Sequence, residues 1–187
     1  YKGKADYKMG GKGYIPELNP EAYDLAGLQS ITKQYQAKGS STVISEGSKL
    51  ATSSEKPQGV STDKWNANVE LRNKKGDFQL LSDNNRATIL FASNNLLGGV
   101  KGKATAINRA IDFAKWIERK HPEYNLASEG GLLGTFYTEY VESISRRMKK
   151  NNKTQEQINT RVNGINTGLR TFYKNLQEGD VNFDGGK

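Results

Sequence analysis

The sequence predicts an α+β fold that is mainly helical, with a C-terminal antiparallel helical hairpin, one further helix, a small β-hairpin and an extended basic N-terminal arm. Three observations support this prediction. Apolar residues recur at helical spacing through most of the C-terminal half, short alternating segments follow residue 65, and the first 18 residues have no apolar periodicity.

The last helix has the clearest signals. Thr154 and Gln157 have the spacing of a capping box, so a helix should begin directly after residue 153. Gly164 and Gly168 within it are four residues apart and predict close approach of a neighbouring backbone. A heptad stripe runs along the same helix: Ile158, Val162, Ile165, Leu169, Phe172 and Leu176.

Two more helices precede it. Apolar residues at helical spacing between Leu133 and Met148 predict a helix over about 130–150, and its basic last turn complements the helix dipole. The short link 151–153 then predicts an antiparallel hairpin with the last helix, with Gly164 and Gly168 near the contact of the two helices. A broad apolar face from Ala104 to Ile117 predicts the third helix, which should end at Pro122.

The strands are predicted around residues 65–92. Val69 and Leu71 alternate with charged residues, and the turn 73–76 (NKKG) followed by 77–81 (DFQLL) favours a β-hairpin. Residues 86–92 (RATILFA) fit either a third strand or a helix capped by Asp83, and β-branching weakly favours the strand.

The organisation expected for the chain has five parts. An extended basic arm covers 1–18, a helix started by Asn19 and Pro20 covers 19–39, and a flexible Ser/Thr-rich connector covers 40–64. A compact α+β domain covers 65–178, and a tail covers 179–187.

Composition argues against several classes of function. The chain has no cysteine and one histidine, His121, which excludes thiolate chemistry and Cys- or His-rich metal sites and disfavours a Ser–His–Asp mechanism. No apolar run approaches the ~18–20 residues that span a bilayer. We therefore predict no catalytic residue, no cofactor, no metal and no membrane span. A hydrolase using carboxylates stays open, with four helical candidates: Asp112, Glu118, Glu139 and Glu142.

The charge balance points to polyanions. Lys and Arg number 28 against 20 Asp and Glu, a net charge of +8, and basic proteins are attracted to nucleic acid. Tyrosines lie between the arm lysines and suit stacking on bases or contact with a neighbouring subunit. The candidate phosphate contacts are Lys2, Lys4, Lys8, Lys12, Lys101, Lys103, Arg109, Arg146, Arg147, Lys149 and Lys150.

Two local resemblances accompany these residues. Residues 100–120 (VKGKATAINRAIDFAKWIERK) are similar to the basic loop and second helix of Alba-type chromatin proteins, in which a lysine-bearing turn before the helix touches nucleic acid. Lys101, Lys103 and Arg109 are kept as candidate phosphate contacts on charge alone. Two long helices follow, where that family has strands. Residues 180–185 (DVNFDG) resemble the start of an EF-hand or dockerin calcium loop, but the chain ends before the bidentate Glu.

These features together favour a non-enzymatic role. The leading hypothesis is a structural or scaffolding subunit of a large nucleoprotein assembly, in a virion or inside the cell, that contacts other protein subunits and nucleic acid. A viral assembly is the first choice, because of the basic arm, the long connector and the start at Tyr1 in place of methionine. Such a start is expected after proteolytic maturation, and equally for a segment taken from a longer chain. The alternative is a discrete, sequence-nonspecific nucleic-acid-binding protein, and the second alternative is the hydrolase.

Overall fold

The computed structural model describes residues 40–94, 101–128 and 133–177, with the backbone alone for residues 40, 101–103 and 133–135. These residues form seven helices and no strand, so the predicted α+β class is wrong and the described part of the chain is all-α. The helices are α1 (Ser40–Thr52), α2 (Thr62–Arg72), α3 (Asp77–Leu80), α4 (Asp83–Asn94), α5 (Lys101–Lys120), α6 (Leu133–Lys150) and α7 (Gln155–Gln177).

Helices α2 and α3 stand where the β-hairpin was expected. The Ser61 hydroxyl caps α2 by accepting a hydrogen bond from the Lys64 amide, which gives the segment a local helix start. Leu71 is buried while Val69 is only partly buried, so the alternation of these two residues does not describe a strand face. Packing of α2 on α4 overrides the weak two-residue period.

Helix α4 is the centre of the fold. It packs on α1, α2, α5 and α7, and residues all around it are buried, including Ile89, Leu90 and Phe91. A helix buried on every side has no amphipathic stripe, which explains why its sequence weakly favoured a strand. The helical alternative for this segment is therefore the correct one. The Ser82 hydroxyl caps it by accepting from the Asn85 amide, one residue before the predicted cap.

The segment 40–64 is not a flexible connector where the structure describes it. Helix α1 occupies residues 40–52 and packs on α4 more extensively than any other pair of described helices. Val43 and Leu50 of α1 and Val60 of the following loop are buried in the core. Their burial requires α1 to be part of the folded unit.

The three C-terminal helices agree with the sequence. Helix α5 ends at Lys120, before Pro122, and α7 begins with the predicted capping box: the Thr154 amide donates to Gln157 Oε1 (2.9 Å), and the Gln157 amide donates to Thr154 Oγ1 (3.1 Å). Helix α6 ends in a Schellman motif, with Asn152 in the left-handed region at φ 64° and the Lys153 amide donating to the Met148 carbonyl.

The glycines of α7 face a different neighbour from the one expected. Helices α6 and α7 are in contact, but α7 packs most extensively on α5. Ala106 of α5 lies against Gly168, and the side chain of Arg109 lies against both Gly168 and Gly164. The prediction that Gly164 and Gly168 lie at the contact with α6 is therefore wrong.

Several expectations fall outside the described residues. These are the arm (1–18), the helix (19–39), the tail (179–187) and the calcium-loop resemblance at 180–185. The division of the chain into domains stays a prediction. None of the helices that the structure describes combines the length and the apolar character needed to cross a bilayer.

Candidate nucleic-acid interface

The predicted phosphate contacts lie in three places. Lys2, Lys4, Lys8 and Lys12 are outside the described residues. Lys101 and Lys103 belong to the first turn of α5, of which the backbone is described. The remaining five lie on α5 and α6: Arg109, Arg146, Arg147, Lys149 and Lys150.

Four of these residues form an exposed basic surface at the end of α6. Arg146, Arg147, Lys149 and Lys150 are all exposed, and Lys153 in the following link adds a fifth exposed positive charge. We call these five residues the basic corner. Arg146 pairs with Glu142 (2.9 Å), one turn earlier on the same helix. The sequence places the charges together, and the helix end leaves them in solvent because the core-facing stripe of α6 lies on its other side.

Arg109 occupies a different environment, between α5 and α7. A Cβ on Gly168 would lie 2.6 Å from Arg109 Cγ, so the missing side chain makes room for the arginine stem. The Nε atom of Arg109 is buried without a hydrogen-bond partner. Burial lowers the pKa of Arg109, and the positive charge of Arg161 lowers it further.

Arg161 of α7 joins Arg109 and Arg147 around one tyrosine. Burial raises the pKa of Tyr140 to about 12, with a smaller contribution from Asp112, while the charges of Arg161, Arg109 and Arg147 oppose the shift. All three arginines are therefore close enough to the Tyr140 hydroxyl to act on its ionisation. We call Arg109, Arg147 and Arg161 the arginine cluster. Its members come from α5, α6 and α7, and Arg147 also belongs to the basic corner.

Sequence reasoning missed Arg161, although a signal was present. Arg161, Gly164 and Gly168 are spaced by three and four residues, so they share one face of α7. Once the glycines are known to face α5, Arg161 must lie near the same boundary. This signal can be used only when the helix that packs against the glycines is known, and the sequence does not identify that helix.

The four candidate carboxylates of the hydrolase hypothesis are engaged in different places. Glu118 accepts from the Ser82 amide (2.8 Å) and from Asn85 Nδ2 (2.7 Å), which ties α5 to the start of α4. Glu139 pairs with His121 (2.9 Å), Glu142 pairs with Arg146, and Asp112 lies near the arginine cluster. Across the part of the chain that the structure describes, no three His, Cys, Asp or Glu residues group as metal ligands would.

His121 lies just beyond the C-terminal end of α5. Its amide donates to the Ile117 carbonyl, and its ring lies 4.1 Å from that of Phe136 and 5.5 Å from that of Trp116, between ring centroids. Together with the contact to Glu139, this arrangement joins the end of α5 to α6.

The described residues form an all-helical unit that carries a basic surface where its last three helices meet. Comparison with known proteins found no matching family model, no matching curated protein and no matching solved structure. The similarity of residues 100–120 to Alba-type proteins thus remains local.

Proposed function

We propose that the chain binds nucleic acid through phosphate groups, without reading sequence, as a non-enzymatic subunit of a nucleoprotein assembly. The binding surface is the basic corner together with the arginine cluster. The observation that supports this proposal is the convergence of Arg109, Arg147 and Arg161 from three helices beside a row of exposed basic residues.

The arrangement of these charges suits a polyanion. Burial is the main cause of the lowered pKa of Arg109, the positive charge of Arg161 lowers it further, and the negative charge of Asp112 opposes the shift. A phosphate placed among the arginines would relieve the repulsion between Arg109 and Arg161 and give Arg109 Nε an acceptor. Guanidinium groups also bind phosphate oxygens in pairs, which a row of lysines does not.

The surface has no feature that would read bases. Its groups are guanidinium and ammonium groups, the kinds of group that contact phosphates in nucleic-acid complexes. We therefore expect similar affinities for different sequences, with binding that weakens as salt rises because counterions are released.

A fluorescence anisotropy titration against a mixed-sequence single-stranded DNA or RNA tests the proposal. Log K should fall linearly with log salt, with a slope of about −0.7 for each phosphate contacted on a single strand. A quadruple Gln variant of the basic corner should lower the magnitude of the slope by up to about 3. The variant replaces Arg146, Arg147, Lys149 and Lys150.

The matched control removes the same number of charges from exposed positions elsewhere. It replaces Lys74, Lys75, Arg119 and Lys120 by Gln. Equal weakening in the two quadruple variants would mean that net charge alone drives binding, and the assignment of the surface would be wrong. Binding unaffected by salt would refute the electrostatic mechanism altogether.

Membership of an assembly is the second part of the proposal. It rests on the lysines and tyrosines of the arm, whereas the connector no longer contributes because α1 occupies residues 40–52. Light scattering at micromolar concentration, with and without nucleic acid, distinguishes the two hypotheses. Large ordered particles support an assembly subunit, a viral one being our first choice, and a monomer that coats nucleic acid without self-association supports a discrete binding protein.

A further inference from the structure

A groove of ≈ 470 Å³ opens among α1, α3 and α4, at the end of α2 and away from the basic corner. Phe78 and Leu90 contribute buried apolar surface to it. Arg72, Arg86 and Asp83 bring the charged groups. Its volume falls within the range of sites that enclose small molecules, which combine apolar walls with a few polar groups.

The guanidinium group of Arg72 is the charged group of this groove that has no carboxylate partner among the described residues. Its Nη1 atom is buried and makes no hydrogen bond. The guanidinium carbon lies 5.3 Å from the centre of the Trp65 ring, so the ring holds one face of the group. Arg72 is also one of the residues that line the groove, so its guanidinium group is within reach of a ligand there. A buried donor without an acceptor is unfavourable, and an anion in the groove would remove that deficit.

Arg86 is held in place beside it. Its Nη1 donates to the main-chain oxygen of Gln79 (3.2 Å), and its Nη2 pairs with Asp83. Gln79 in turn donates through Nε2 to the main-chain carbonyl of Arg72. Gln79 therefore connects the segments that carry the two arginines. The lining holds two guanidinium groups against one carboxylate, and that carboxylate is already paired with Arg86.

We propose that this groove binds a small organic anion, in which one carboxylate or phosphate group is attached to an apolar body. The anionic group is bound by the guanidinium group of Arg72, with Arg86 adding positive charge. The apolar body packs on Phe78 and Leu90. Paired N–H groups of arginine match the oxygens of carboxylates and phosphates, and an apolar floor gives no favourable contact to a purely polar ion.

An NMR titration of the full chain, at constant ionic strength, tests this assignment. The probes are benzoate, phenyl phosphate and inorganic phosphate, with benzyl alcohol as the neutral probe. Saturable shifts at the side-chain amides of Asn73 and Gln79, with an organic anion binding more tightly than inorganic phosphate and benzyl alcohol, are the expected result. Preference between benzoate and phenyl phosphate then identifies the anionic group. Absence of saturable shifts with both, or equal binding of benzyl alcohol, overturns the proposal.

Two variants of Arg72 and one control complete the test. Arg72→Gln should weaken binding about tenfold to a hundredfold, because a charge-assisted pair of hydrogen bonds is lost. Arg119→Gln, which removes an exposed arginine outside the groove, should leave the affinity unchanged. Should Arg72→Gln fail to fold, Arg72→Lys keeps the charge and the stem against Trp65 but lacks the fork, and an unchanged affinity in it would refute the role of the guanidinium.

Discussion

Gly47 of α1 lies directly against the main-chain carbonyl of Ala87 on α4, and a Cβ at Gly47 would overlap that oxygen. The two backbones approach this closely only because residue 47 has no side chain. Gly47→Ala should therefore destabilise the fold by about 2–3 kcal/mol, although alanine favours helix by ~1 kcal/mol over glycine. Urea unfolding followed by circular dichroism measures the change. Ser45→Ala, at an exposed position of the same helix, should be neutral or slightly stabilising.

The two glycines of α7 should respond in opposite directions. A Cβ at Gly164 would meet one atom of Arg109, at 3.7 Å, which is an ordinary contact, so Gly164→Ala should stabilise the fold by up to ~1 kcal/mol. A Cβ at Gly168 would lie 2.6 Å from Arg109 Cγ and 3.0 Å from its Cβ. Gly168→Ala should cost about 1–3 kcal/mol, and Gly168→Leu more. Thermal unfolding of the three variants compares them, and equal effects at the two positions would contradict the packing of α7 on α5.

The capping box gives a third expectation, for the start of α7. Thr154→Ala removes the acceptor for the Gln157 amide and should cost about 1 kcal/mol, whereas Thr154→Ser keeps the hydroxyl and should cost little. Gln157→Ala removes the reciprocal bond from the Thr154 amide. These two changes break one reciprocal arrangement. The free energy of unfolding of the double variant, measured by chemical denaturation, should therefore fall by less than the sum of the falls in the two single variants. Simple additivity would indicate that the two bonds act independently.

A loss of stability at high pH is expected from two buried tyrosines. Burial raises the pKa values of Tyr124 and Tyr140 from 10.0 to about 12. Between these values the unfolded chain releases its phenol protons while the folded chain keeps them, so the free energy of unfolding should fall as the pH rises from 10 to 12. Each tyrosine contributes about 2 kcal/mol to the fall between pH 10 and 12.

Denaturant unfolding at a series of pH values, for the wild type and the Phe variants, measures this effect. Tyr124→Phe and Tyr140→Phe should each show a smaller loss between pH 10 and 12, because one ionising group is absent. Profiles that are parallel for wild type and variants would show that other groups, such as lysines, cause the loss.

The helices that the sequence predicted correctly share one property: each buries a single face. Helices α5, α6 and α7 have apolar stripes at helical spacing, and the ends of α5 and α7 are marked by Pro122 and the Thr154 box. The type and the ends of such helices can be predicted from the local sequence, without knowing which element packs against them.

The helices that were missed depend on their neighbours. On α1, the buried face is formed by Val43, Gly47 and Leu50. A glycine at such a position favours a loop prediction unless its close contact with Ala87 is known. Helix α4 is buried all around and has no stripe to detect. In the candidate site, the run 146–150 was visible as local charge, while Arg161 and the groove at Arg72 arise only when separate helices meet.

The side chain of Asn85 has a consequence for the exchange of backbone amides with solvent. Leu126 lies in the irregular segment between α5 and α6, yet its buried amide donates to Asn85 Oδ1 (2.8 Å), while Asn85 Nδ2 holds Glu118. This amide can reach water only when α4 moves away from the segment. Its hydrogen exchange should therefore be as slow as that of the α4 core and far slower than that of its loop neighbours, so that one loop amide reports the opening free energy of the central helix.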